Sequence, residues 1–244
     1  MLFNYEYQWD RRGKVIFAPN EDCDRRAQQL IRFIEARVDF PECFYHYKPG
    51  GHVAALHRHL ENQFFFKIDI RNFFYSISRN RVAAALHRIG YPYARTFAKW
   101  SSVKNPYDVG PRYVLPIGFR QSPILASLCL MRSPVMEVVS WAEEMGAFVS
   151  IYLDDLVCSG PDKAVLETLY DLFLIAFAEA NLSANPNKIV APTDSLVVFN
   201  CNLREGVASV TPERIDEFFN EWRSAEATLA FEAYCNWVSE RNAA

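Results

Sequence analysis

Between Asp22 and Val38 the apolar residues Ala27, Leu30, Ile31, Ile34 and Val38 recur at three- and four-residue steps, which predicts a helix with one buried face. The same spacing predicts helices over Asn80–Ile89, ended by Gly90, and over Lys163–Leu182, where Val165, Leu169, Leu172, Phe173 and Ala176 share a side. A short helix is expected over His52–Leu60, and an apolar one from Ile124 that is interrupted near Pro134. Two stretches, Phe64–Ile70 and Ile151–Val157, are apolar without a helical period and read as buried strands. The second is broken at its centre by Asp154 and Asp155, so it reads as a hairpin whose tight turn presents two carboxylates. Phe44–Gly51 reads as a strand entering a Pro-Gly-Gly turn, and Asn185–Lys188 as a turn into a strand at Ile189–Ala191. One further strand is expected over Leu196–Leu203. Residues 1–20 mix aromatics with charges and read as an arm or an edge strand. Pro212–Trp237 is helical and rich in Phe and Trp, more apolar surface than a free tail would show, so it should fold back or meet a partner.

The chemistry begins with the acids. Two carboxylates at a turn between apolar strands repel each other and resist burial, so a cation should stand against them. Asp69 ends the other apolar strand, Phe64–Asp69. Two strands that deliver three acids to one place give what two-metal phosphoryl transfer requires, with ions about 3.5–4 Å apart stabilising the attacking and leaving oxygens. Lys48, beside the glycine turn, can reach a phosphate. His52, His57 and His59 lack carboxylates at ligand spacing and are not expected to bind metal.

Composition changes the picture in two ways. A chain of 244 residues, 50% hydrophobic, can bury a full core. It has no apolar run of about 18 residues, no apolar segment behind a basic start and no internal repeat, so a membrane partner and secretion are not expected and the expected location is cytoplasmic. The six cysteines have no C-x-x-C spacing and read as reduced core residues. The net charge of −3 is unevenly spread: residues 1–120 hold 19 Lys and Arg against 11 Asp and Glu, a net +8, and residues 121–244 hold 7 against 18, a net −11. The first half can therefore face phosphate while the second supplies acids, some of them for metal.

Placed together, these pieces resemble reverse transcriptases from about Tyr45 to about Leu203. Phe66-Lys67-Ile68-Asp69-Ile70-Arg71-Asn72-Phe73-Phe74 is similar to the family's first acidic motif, and Leu115–Pro123 to its glycine loop. Tyr152-Leu153-Asp154-Asp155 is similar to its metal-binding hairpin, Asn185–Lys188 to its lysine motif, and Val198-Phe199-Asn200-Cys201 to its primer-grip strand. The resemblance implies an α+β fold, an antiparallel palm sheet with packed helices and fingers, and a reduced helical thumb. It implies an N-terminal arm and fingers over 1–62, a palm with inserted fingers elements over 63–203, and a thumb or docking tail over 204–244.

Carried over by residue, the resemblance implies that Asp69, Asp154 and Asp155, with the carbonyl of Ile70, hold two Mg²⁺ ions, Mn²⁺ being an alternative. Lys188 would serve as proton donor or charge stabiliser at the leaving phosphate. Lys48, Arg71, Asn72, Gly118 and Gln121 would contact the incoming nucleotide, Phe74 would clash with a ribose 2′-hydroxyl, and Phe199, Asn200 and Cys201 would grip the primer. The implied function is RNA-directed DNA synthesis, with an RNA template and nascent DNA as partners. Rival readings are an RNA-dependent RNA polymerase, a template-independent or protein-primed polymerase, and a silent nucleic-acid-binding scaffold. Ile117 stands where the family often has glutamine, an apolar choice shared with diversity-generating enzymes, although Ser122-Pro123 departs from their usual ending. The compact chain most resembles bacterial enzymes of retrons, abortive infection and phage defence, which implies a structured non-coding RNA, a protein partner or a homo-oligomer.

Overall fold

The computed structural model describes residues 3–107 and 109–243. In chain order the elements are β1 (Tyr5–Arg11), β2 (Lys14–Pro19), α1 (Glu21–Glu35), a 3₁₀ turn (Tyr45–Tyr47), α2 (Gly51–His59), β3 (Phe64–Asp69), α3 (Phe73–Ser76), α4 (Arg79–Arg88) and α5 (Ala94–Trp100). Then follow β4 (Val103–Lys104), β5 (Tyr113–Val114), α6 (Ser122–Leu130), α7 (Val135–Glu144), β6 (Phe148–Tyr152), β7 (Asp155–Gly160) and α8 (Lys163–Glu179). The chain continues through β8 (Val190–Thr193), β9 (Ser195–Val198), β10 (Cys201–Arg204), β11 (Val207–Val210), α9 (Pro212–Phe219) and α10 (Ala225–Ser239). No single helix among the described residues is long and apolar enough to cross a membrane.

Packing divides the chain into two units, one of residues 1–41, 70–136 and 177–183, the other of 42–69, 137–176 and 184–244. In the second unit Val53, Leu56 and Leu60 share a core with Phe65 of β3. In the first unit, residues 5–19 form an antiparallel hairpin turned at Arg12 and Gly13, both with positive φ. Its β2 is tied to the glycine loop by Phe17 N–H to the Ile117 carbonyl at 2.9 Å. Gly118 sits at φ 105°, and a Cβ there would overlap the Phe17 carbonyl oxygen, so only glycine allows this approach. Phe17, Tyr75, Val103, Val114 and Phe119 make a small core around it. Asn20 and Ser78 cap α1 and α4 by accepting from the amides of Cys23 and Arg81.

The second unit is built on a four-stranded antiparallel sheet in the order β6-β7-β3-β8. Phe65, Phe66 and Ile68 of β3 and Leu156, Val157 and Cys158 of β7 are fully buried, which explains why these strands read as continuous apolar runs. Phe66 meets Tyr170 and Phe173 of α8 edge to face. A second sheet, β11-β10-β9, closes a core with Val53, Leu56, Phe218, Phe231 and Val238. Thus α10 folds back against α2 and β11, one of the two outcomes expected for the aromatic tail.

Three local expectations are corrected. Tyr45–Tyr47 is a 3₁₀ turn and not a strand; Phe44 contributes only an isolated bridge to Ile151. Leu196–Leu203 is two strands of a hairpin, because Phe199 and Asn200 both take positive φ (55° and 59°) and reverse the chain between Val198 and Cys201. The alternation of Leu196, Val198, Cys201 and Leu203 hid the turn, since both strands bury the same face. The tail is two helices broken at residues 220–224, where Ser224 caps the second.

A polar network joins the end of α2 to β6 and β7. His59 is buried and its two ring nitrogens stand 2.6 Å from Ser159 Oγ and 2.8 Å from Ser150 Oγ, while Asn62 donates to Ser159 at 2.9 Å. Burial pushes the His59 pKa down to about 3, helped by the nearby Arg58 charge, so the ring is neutral. The folded pKa lies below the unfolded value near 6.5, so this contribution to stability is present above about pH 6.5 and is lost as pH falls toward the folded pKa. The expected loss is about 1.4 kcal/mol per pH unit in that window. Urea unfolding from pH 7 to pH 4.5 should show it, and His59→Gln should flatten the slope by one proton; equal slopes in both proteins would refute the assignment.

Candidate active site

Strand β3 pairs with β7 in a register that sets Asp69 opposite Asp155. Strand β6 pairs with β7 so that Tyr152 faces Asp155 across a two-residue turn, Leu153-Asp154. Leu153 takes φ 56°, a conformation that costs a branched side chain about 1–3 kcal/mol and that hairpin geometry demands of the first turn residue. His46 supports this turn: its Nδ1 lies 3.3 Å from the Leu153 amide nitrogen and 3.4 Å from the Ile151 carbonyl oxygen. Burial drives the His46 pKa down to about 4, leaving a neutral ring whose Nδ1 either accepts from Leu153 or donates to Ile151, one at a time.

Asp69 is buried, and each of its oxygens has a partner. Asn185 Nδ2 donates to Oδ1 at 3.0 Å and Lys188 Nζ donates to Oδ2 at 2.9 Å. Both partners come from one turn, in which the Asn185 carbonyl accepts from the Lys188 and Ile189 amides while the Asn185 amide donates to the Asp69 carbonyl. The lysine turn is therefore fastened to β3 by main chain and side chain together. Lys188 has its pKa raised, first by the hydrogen bond to Asp69 and then by the charges of Asp69, Asp154 and Asp155. All three acids act on this one ammonium.

Asp155 is held differently. Lys67, two residues before Asp69 and hence on the same face of β3, places Nζ 3.3 Å from Asp155 Oδ1. The contact is an ion pair without hydrogen-bond geometry, and Oδ1 is buried with no hydrogen-bond donor. Burial raises the Asp155 pKa, Lys67 lowers it in part, and Asp69 raises it further.

The donor chemistry fits a hard divalent cation: three carboxylates on adjacent strands and a turn, one of them with an orphaned buried oxygen. Yet no three His, Cys, Asp or Glu side chains among the described residues converge as a ligand set, since Asp69 and Asp155 turn toward Lys188 and Lys67.

The remaining expected site residues fall as follows. Lys48 is ion-paired with Glu42 and lies 4.8 Å above the Tyr45 ring. Phe199, at its hairpin turn, packs 5.5 Å from the Tyr152 ring and 5.7 Å from His52, so aromatic contact joins the two turns. Asn200 shares that turn, and Cys201 is buried with Sγ 3.6 Å from Tyr234 Oη. Ile70, Arg71, Asn72, Phe74, Gly118 and Gln121 belong to the first unit. Arg71 and Asn72 are exposed, Ile70 is buried and Phe74 is half-buried against Phe73. Gln121 is buried, and its amide nitrogen points to Ser101 Oγ and Cys23 Sγ. Sequence reasoning gave no role to Lys67 or to the Asn185 side chain; the two-residue step from Lys67 to Asp69 is the signal that would have found the first.

Residues 20–209 match the model of the reverse transcriptase (RNA-dependent DNA polymerase) family. The retron Mx65 reverse transcriptase of Myxococcus xanthus is 24% identical over 188 residues, 72% of this chain and 44% of the relative, so the chain spans less than half of that protein's length. Among solved structures, apo telomerase from Candida tropicalis superposes with a TM-score of 0.57 at 11% identity, covering 82% of this chain and 53% of that one. The foamy viral protease-reverse transcriptase in complex with double-stranded DNA gives 0.50 at 16% identity, covering 89% and 32%. These likenesses establish the α+β palm-and-fingers fold, and the family match over 190 of the 244 residues means that this chain belongs to the reverse transcriptase family.

Proposed function

We propose that this chain is an RNA-directed DNA polymerase that adds deoxynucleotides to a primer 3′ end. The observation that carries the reading is the register of β3 on β7, which sets Asp69 against Asp155 beside the turn that bears Asp154. When bound by these carboxylates and the Ile70 carbonyl, two Mg²⁺ or Mn²⁺ ions would activate the 3′-hydroxyl and offset the charge of the triphosphate. Lys188 stays protonated, since its pKa is raised, and so can give its charge or its proton to the departing pyrophosphate. Arg71 and Asn72 are exposed and able to contact the triphosphate. The Phe199-Asn200 turn, packed on Tyr152, would hold the primer end near the carboxylates. By its likeness to a retron enzyme, the chain is proposed to act in the bacterial cytoplasm, in antiphage defence, with a dedicated structured RNA or a protein partner.

Phe74, half-buried against Phe73, is proposed to exclude the ribose 2′-hydroxyl. Primer extension on RNA and DNA templates with dNTPs or rNTPs tests both statements. The expected result is DNA synthesis on RNA, with Phe74→Ala raising ribonucleotide use about 10–100-fold, as a steric contact of about 1–3 kcal/mol would. Efficient RNA synthesis by the unaltered protein would replace the reading with an RNA-dependent RNA polymerase. No synthesis even by complex isolated from its host would leave a scaffold.

A further inference from the structure

From Ile70 to Tyr107 the chain has seven Arg and Lys residues, at 71, 79, 81, 88, 95, 99 and 104, and no Asp or Glu. All seven lie in the first unit, and four of them edge one groove. Helices α4 and α5 pack together, and at their junction lies a groove of about 590 Å³ edged by Arg79, Arg88, Arg95 and Lys99, with His87 beside them. No acid lines it. Its apolar lining consists of Ala83, Ala84 and Ala94. On α4, Arg79, Ala83 and His87 follow at four-residue steps, as do Ala84 and Arg88; on α5, Arg95 and Lys99 do the same. Arg95 and Lys99 therefore stand about 6 Å apart along α5, and Arg79 and Arg88 about 13 Å apart along α4, with Ala83 and Ala84 between them.

None of these four cations enters an ion pair among the described residues. Arg79 is steadied by the Tyr113 ring at 4.1 Å, while Arg88, Arg95 and Lys99 are exposed. Like charges gathered without counter-ions in a chain of net −3 form a local field that selects an anion. Four cations spread along two helices over a low alanine floor suit a chain of several anions better than a single small one. A bilayer surface fits poorly, because membrane-lying helices set Trp, Phe or Leu beneath their cations and this groove offers only alanine.

We propose that the α4–α5 groove binds the phosphodiester backbone of a nucleic-acid strand, as a holding site lined by none of the carboxylate-site residues. The contacts are to phosphate, so they confer grip and not sequence preference. The proposal stands apart from the polymerase reading, since it requires no catalysis.

The test compares the full chain with Arg88→Gln/Arg95→Gln/Lys99→Gln and with a control of equal charge loss elsewhere, Lys163→Gln/Arg204→Gln/Arg241→Gln. The probe is a labelled single-stranded RNA, or DNA of the same sequence, followed by fluorescence anisotropy across a salt series, and thermal melting verifies that both variants fold. The groove variant should bind at least about tenfold more weakly at low salt, and its slope of log affinity against log salt should fall by about 2, or about 0.7 for each lost phosphate contact. The control should stay within about twofold of the unaltered protein, its lost charges lying off the groove. Equal losses for RNA and DNA support backbone recognition, and a loss for RNA alone supports the site with RNA as its ligand. The proposal is overturned if the groove variant keeps its affinity and slope for both probes. It is overturned as well if the control loses as much, or if the groove variant loses binding only to phosphatidylserine vesicles.

Discussion

Asp69→Asn is expected to lower single-nucleotide addition on an RNA template by about a thousandfold or more, while the protein keeps its fold. Asparagine preserves the shape and can still accept from Asn185 or Lys188, so the change isolates the charge and the hard-oxygen ligand. A metal-assisted step loses several kcal/mol of transition-state stabilisation when such a ligand is removed. The melting temperature should hold or rise slightly, because one of three mutually repelling acids is gone and Lys188, with 53% of its side chain exposed, is left in water rather than buried. Single-turnover incorporation of one deoxynucleotide with Mg²⁺ is the measurement. Activity within tenfold of the unaltered enzyme would remove Asp69 from the chemical step.

Lys67→Met is expected to give the largest change in stability. Lys67 and Asp155 have side chains only 14% and 22% exposed, so deleting the lysine leaves a buried carboxylate next to Asp69 without its nearest counter-charge. Breaking such a pair from one side costs about 2–4 kcal/mol, after allowing for protonation of Asp155, and should lower the melting temperature by about 5–15 °C. Adding Asp155→Asn should restore most of the loss, and the double-mutant cycle should show coupling of about 1 kcal/mol or more. Asp155 already has a folded pKa above its unfolded value. Its contribution is thus most favourable below the unfolded pKa and is lost as pH rises through the folded one, so the defect of Lys67→Met should be larger at neutral pH than in acid. Mg²⁺ should raise the melting temperature of Lys67→Met more than that of the unaltered protein, a divalent ion taking over the missing charge. An unchanged melting temperature would mean that Lys67 is a bystander.

The two experiments separate what the site does from what holds it. Asp69 is proposed to act on substrate, whereas Lys67 positions Asp155. Lys188 stands between the two roles, bonded to Asp69 in this structure and exposed enough to leave it. The Asn185 turn explains how one short motif serves both, since its amide, carbonyl and side chain set the lysine at the carboxylate.

What the amino-acid sequence determined by itself is the local structure and the acids. Helices α1, α4 and α8 were legible because a buried face repeats every three or four residues, and β3 and the β6–β7 hairpin because burial on both faces removes that period. Asp69, Asp154 and Asp155 stood out because ionised groups within apolar strands need a reason to be there. Only the tertiary structure decided who neutralises whom. Lys67 with Asp155, Asn185 with Asp69, and His59 with Ser150 and Ser159 are cross-strand or long-range pairs, with separations of 88 to 116 residues, that no local pattern encodes. It also decided that Gln121 turns inward and that the chain reverses at Phe199 and Asn200, because Phe199 at positive φ runs against its own preference and packs on Tyr152 and His52. The basic groove follows the same division: composition placed its cations in one acid-free stretch, and the packing of α4 on α5 brought four of them to one place.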